Sequence, residues 1–140
     1  KLVNSALLVK SGDESLATVD VCTLDLFTGR ASFYKAGAAP TFLIKAGKAG
    51  YVESASLPAG ILHGVSFEKS GVTLHEGDMV VMVSDGVTGT GTDWIKSELA
   101  ALKNDDVQQL CEKLAVTAKM RRTDGHEDDI TVLGMALRRD

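Results

Sequence analysis

Residues 78–87, DMVVMVSDGV, place an unbroken apolar run, Met79-Val80-Val81-Met82-Val83, directly before Ser84, Asp85 and Gly86. A run of this length with β-branched residues reads as a buried central strand. Residues 126–137, HEDDITVLGMAL, show the same elements with the acids first: Asp128 and Asp129 open Ile130-Thr131-Val132-Leu133. A carboxylate where a core strand meets solvent is rigidly held yet wet, which suits a ligand for a hard divalent cation. The two acidic strand ends lie far apart in the chain, so only a folded sheet brings them together. Together they make a metal-dependent enzyme the leading expectation.

Each acidic end also has a plainer reading. Asp85-Gly86 is a strong turn dipeptide, and Asp128-Asp129 taken alone is a solvated opening to a strand. Repulsion favours the shared site, because adjacent carboxylates disfavour each other's charge unless a cation or an arginine neutralises them. Glu127 adds a third acid, and Arg121 and Arg122 either offset part of that charge or are solvated charges suited to a helix C-terminus, the latter being favoured. His126 is either a proton donor to a leaving group near neutral pH or an exposed loop histidine. The three histidines, His63, His75 and His126, show no H-x-x-x-H spacing, so zinc is not expected. Ser84 lacks the G-x-S-x-G context of a nucleophile elbow, and Gly86, Gly89 and Gly91 lack the G-K-[ST] ending of a phosphate-binding loop.

Composition narrows the classes further. At 140 residues, 44% hydrophobic and 24% charged, the chain is one domain's worth of ordinary globular protein. A net charge of −4 provides no basic footprint for nucleic acid. No apolar run approaches the roughly 20 residues that cross a bilayer, and no signal-peptide pattern is present, so a cytoplasmic location is expected. Cys22 and Cys111 sit among apolar neighbours and read as structural thiols in a reducing compartment.

Along the chain, residues 1–10 read as the last turns of a helix with no cap before it, as though something preceded them. Strands are predicted over 17–27, 31–35, 41–45 and 51–53, with a hairpin turn at Thr28-Gly29-Arg30 and a break at Gly37 to Pro40. This spacing predicts an antiparallel meander. Residues 54–77 read as loops around short strands, followed by a strand over 78–84. Asp93 is expected to cap a helix over 94–102, and Asn104 or Asp105 a second helix over 106–120 with Val107, Leu110, Cys111, Leu114 and Ala118 inward. A final strand is predicted over 129–138. Residues 1–140 read as one α+β domain.

The order ATVDVCTLDLFTGRASFYKAGAAPTFL, SLPAGIL, LHEGDMVVMVSDGV and HEDDITVLGMAL resembles the C-terminal part of the stage II sporulation protein E phosphatases, bacterial members of the PPM-type metal-dependent serine/threonine phosphatases. The resemblance runs from about Asn4 to Leu137. It implies an α-β-β-α sandwich of antiparallel sheets with a two-ion Mn²⁺ or Mg²⁺ centre at one edge. It also implies hydrolysis of phosphoserine or phosphothreonine on a protein, an anti-anti-sigma factor being the family's usual substrate. Matched residue by residue, Asp85 and Asp128 fall on metal ligands, Asp129 on the supporting second position of the D-[ND]-x-T motif, and Gly86 on the small residue beside the metal. The family's further acidic motif, of the type G-D-G-x-G, has no counterpart here. The fold is therefore expected to be N-terminally incomplete, either as a truncated piece or as a relative that has lost the centre. Three expectations follow: exposed sheet edges that favour self-association, a longer protein whose upstream part can hold a membrane anchor, and a rival role as a non-catalytic phosphatase-like module that binds a regulatory protein.

Overall fold

The computed structural model describes residues 4–7, 16–53, 55–61, 68–102, 106–122 and 128–138. Residues 4–7 are helical (α1). The strands are β1 (Val19–Leu24), β2 (Arg30–Ala36), β3 (Thr41–Lys45), β4 (Lys48–Val52), β5 (Glu68–Thr73), β6 (Met79–Val83) and β7 (Val132–Ala136). Three helices, α2 (Asp85–Thr88), α3 (Asp93–Ala100) and α4 (Val107–Arg121), lie between β6 and β7 in the sequence. All strand pairs are antiparallel, in two sheets of order β1-β2-β5 and β4-β3-β6-β7. The chain divides into two compact units, residues 1–38 with 54–73, and residues 39–53 with 74–140.

The first unit is built on the β1–β2 hairpin. Its turn begins earlier than the predicted Thr28-Gly29-Arg30, because the Asp25 carboxylate accepts the Phe27 and Thr28 N–H groups at 2.9 and 3.2 Å. An aspartate that satisfies its own turn in this way fixes where the ladder ends. On β2 the alternation buries Ala31, Phe33 and Lys35 on one face. A lysine only 1% exposed needs a partner, and Asp20, directly opposite on β1, supplies one, with Nζ to Oδ2 at 2.5 Å. β5 pairs with the other side of β2.

The predicted meander stops at β2. Gly37 to Pro40 carries the chain out of the first sheet, and β3 opens the second, so consecutive strands belong to different sheets. In the second unit β3 and β6 are nearly continuous buried runs, as central strands should be. Phe42 stands opposite Val81, and Ile44 opposite Met79. With Val83 they join Val87, Ile95, Leu99, Leu110, Leu114 and Ala118 from the helices in one core. α4 begins on Asp106, whose side chain accepts the Gln109 N–H at 3.0 Å, rather than on Asn104 or Asp105. Lys119 and Arg121 occupy its last turn, where the helix dipole favours cations. For α3 the N-cap position is Thr92, and Asp93 is the first helical residue.

Gly134 lets α4 lie close on β7. A Cβ there would fall 2.4 Å from Val107 Cγ1 and 2.6 Å from Cys111 Sγ. Gly134→Ala should therefore cost about 1–3 kcal/mol by overpacking, read as a lower urea midpoint, and Val107→Ala in the same chain should recover part of that loss.

Asp78, 4% exposed, joins two turns by accepting the Ala46 N–H at 2.9 Å and the His75 N–H at 2.8 Å. Burial, the largest influence on this carboxyl, pushes its pKa up. Donation by His75 and Ala46, with the charges of Lys45 and His75, outweighs burial and leaves the net shift downward. A carboxyl whose pKa is lower folded than unfolded contributes stability fully present above the unfolded value, about 3.9, and lost as pH falls through the folded value. Asp78→Ala should lower stability at pH 7 by about 1–3 kcal/mol, the cost of two stranded donors. In denaturant titrations from pH 7 to pH 2, the gap between wild type and variant should narrow below pH ~4.

Candidate metal centre at the ends of β6 and β7

β6 and β7 are neighbours, with Val83 opposite Val132 in the last rung of the ladder. The pairing continues one residue further, since Ser84 N–H donates to the Thr131 carbonyl at 3.0 Å. The Ser84 side chain adds a second link: its Oγ donates to the Asp129 carbonyl at 2.8 Å and accepts the Thr131 N–H at 2.9 Å. Ser84 stands at the N-cap of α2 with extended backbone but makes no side-chain cap bond there, because its hydroxyl is engaged across the strands. Asp85 is therefore the first residue of a helix that starts beside the opening of β7. It is exposed, and its Oδ1 accepts the Gly86 N–H at 3.0 Å.

Gly86 touches the other acidic segment through its backbone. A Cβ at this position would lie 2.4 Å from the Asp129 carbonyl oxygen and 2.4 Å from Arg122 Nη2. No side chain fits between the two segments. Arg122, where the chain leaves α4, closes the arrangement: Nη2 donates to the Gly86 carbonyl at 2.8 Å and Nη1 to the Asp128 carbonyl. The segments that carry Asp85-Gly86 and Asp128-Asp129 are thus neighbours, joined through backbone contacts.

Two participants escaped the sequence reading. From the sequence Ser84 reads only as a rejected nucleophile, and Arg122 as a helix-end charge or a partial offset to the nearby acids, not as a donor to backbone carbonyls. Both act on backbone carbonyls, which leave no mark in a sequence; the one available signal was their adjacency to Asp85 and Asp128. His126 and Glu127, also considered for this site, and His63 lie outside the described residues.

The donors exposed here, Asp85, Asp128 and Asp129, are carboxylates, the chemistry that suits Mg²⁺ or Mn²⁺. Among the described residues no three His, Cys, Asp or Glu side chains are grouped so as to hold a metal ion. Asp85 and Asp128 offer carboxylate donors of the right chemistry, and a divalent ion here would need further oxygens.

Beside the site, a groove of about 490 Å³ runs between α4 and β7, lined by Val107, Gln108, Cys111, Glu112 and residues 130–134 among others. Burial pushes the Cys111 thiol pKa up, and the Glu112 charge adds to it. Cys22 is raised likewise, by burial and then by Asp20. Both are free thiols, and neither is poised as a thiolate nucleophile at neutral pH.

The model of the family "Stage II sporulation protein E (SpoIIE)" matches residues 1–138. The chain belongs to the SpoIIE family. It is 30% identical to the stage II sporulation protein E of Bacillus subtilis strain 168, over 95% of this chain and 17% of that protein. The Mn-presoaked structure of the phosphatase domain of Bacillus subtilis SpoIIE matches with a TM-score of 0.75 and 28% identity, covering 99% of this chain and 64% of that one. A structure of the same protein's PP2C phosphatase domain with a fragment of its regulatory domain matches with a TM-score of 0.84 and 29% identity, covering 98% of this chain and 43% of that one. The chain thus spans less than two thirds of each of these relatives. Its mixture of helices and antiparallel sheets is that of the SpoIIE PP2C phosphatase domain, as the motif order led one to expect. No described helix is long and apolar enough to cross a membrane.

The contact at Gly86 makes a direct prediction. Gly86→Ala should force the two acidic segments apart and cost about 1–3 kcal/mol. Thermal unfolding would register the loss, and amide shifts at Asp129 to Thr131 should change more than those of β3.

Proposed function

We propose that residues 1–140 belong to one phosphatase domain of a metal-dependent protein serine/threonine phosphatase. The observation that carries this reading is the joining of the Asp85-Gly86 and Asp128-Asp129 segments through Ser84, Gly86 and Arg122 in a chain of the SpoIIE family. Asp85 and Asp128 would hold the cation, with Gly86 and Asp129 in support. When bound, the ion supplies Lewis acidity toward a phosphate ester and lowers the pKa of a water. Mn²⁺ or Mg²⁺ suits these donors, and the Mn-presoaked relative supports manganese.

The chain's own residues argue for attack by water rather than through a covalent phosphoenzyme. The Ser84 hydroxyl is committed between the Asp129 carbonyl and the Thr131 N–H, and the two thiols are held neutral. Arg122 and Ser84 bond carbonyls rather than carboxylates, and among the described residues Asp85 Oδ1 accepts only the adjacent Gly86 N–H, which leaves carboxylate lone pairs for an ion. The substrate class is a phosphoserine or phosphothreonine on a regulatory protein, of the anti-anti-sigma-factor type in the family this chain resembles.

The test is phosphate release from a phosphoserine protein or peptide by the full-length protein with Mn²⁺. Asp85→Asn and Asp128→Asn should each reduce it on the order of 100-fold or more. Undiminished activity in either variant would remove that carboxylate from the centre. No metal-dependent activity in the wild type, alongside intact binding of a regulatory protein, would establish the non-catalytic module instead.

A further inference from the structure

The Arg122 guanidinium is one rigid, planar group whose two terminal nitrogens reach two different segments. Nη2 bonds the carbonyl of Gly86, the residue after Asp85, and Nη1 bonds the carbonyl of Asp128 itself. We propose that Arg122 is a positioning residue that sets the separation of the two carboxylates; this rests on Asp85 and Asp128 being the cation ligands. It touches neither the ion nor the substrate, and it acts through the backbone of both ligand segments.

Two arguments converge on this role. The first is geometric: a flat fork cannot follow two carbonyls that move independently, so relative motion of the segments breaks one of its bonds. The second is steric. The space beside Gly86 that a Cβ would need is occupied by Nη2, so guanidinium and glycine fit each other. Both N–H contacts go to carbonyls, so the guanidinium occupies no carboxylate oxygen. A lysine offers a single point charge in place of the fork.

The anchorage lies in α4. Leu110, Leu114 and Ala118 fix that helix in the core, and Arg122 follows its last turn with extended backbone at φ −72° and ψ 116°. The separation of the carboxylates is therefore referred to a buried helix rather than to either segment alone.

The experiment is a Mn²⁺ titration of the full chain, wild type against Arg122→Gln and Arg122→Lys, read by calorimetry and by paramagnetic broadening of backbone amides. In the wild type one ion should broaden residues 85–87 and 129–131 together. Arg122→Gln should weaken Mn²⁺ binding about 10–100-fold, as loss of an outer-shell partner does, and broadening of the two segments should become unequal while core amides of β3 and β6 keep their shifts. Arg122→Lys, with charge but no fork, should recover only part of the affinity. Wild-type affinity with equal broadening in Arg122→Gln would overturn the proposal. If that variant fails to fold, wild-type affinity in Arg122→Lys would overturn it. No broadening at either segment in the wild type would instead overturn the cation-site reading on which it stands.

Discussion

The backbone of Gly86 lies against the backbone of Asp129, and the rest of the site depends on that contact. It exists because β6 and β7 are adjacent and because Ser84 and Thr131 carry their pairing past the last rung. Hydrogen bonds from a charged donor contribute about 1.5–3 kcal/mol each, and Arg122 makes two, to the carbonyls of Gly86 and Asp128. The two backbone segments are therefore held together by the fold itself.

α4 connects the core to this site. At its start it lies low on β7 because Gly134 has no side chain, and at its end it delivers Arg122 to the carbonyls of Gly86 and Asp128. Its height over the sheet and the position of the guanidinium are two ends of one rigid element.

Much of the architecture could be read from the sequence, and the failures have physical reasons. β3 and β6 were legible because strands buried on both faces must be apolar throughout, and the inward face of α4 because Leu110, Leu114 and Ala118 recur at helical spacing. β5 could be placed only as an unspecified short strand within 54–77, since EKSGVT holds a single large apolar residue, Val72, and takes its strand character from pairing with β2. The division into two sheets was equally hidden: Gly37 to Pro40 announces a break without saying where the chain goes next. At the cap of α4, three consecutive candidates, Asn104, Asp105 and Asp106, compete, and local composition cannot choose among them. Of the site, the carboxylates and Gly86 were visible as motif positions, whereas Ser84 and Arg122 work through carbonyls common to every residue.

The buried pair in the first unit has a consequence for how this chain can vary. Lys35 and Asp20 face each other across β1 and β2, with the lysine almost wholly removed from water. Losing Asp20 takes the direct ion-pair partner from a lysine almost wholly removed from water, a cost of up to about 3–5 kcal/mol, which is a large share of a small protein's total stability. Replacing both by apolar residues of similar volume carries little or no such cost. Lineages that pass through single substitutions are therefore confined at these two positions, and relatives that differ at one should differ at the other as well.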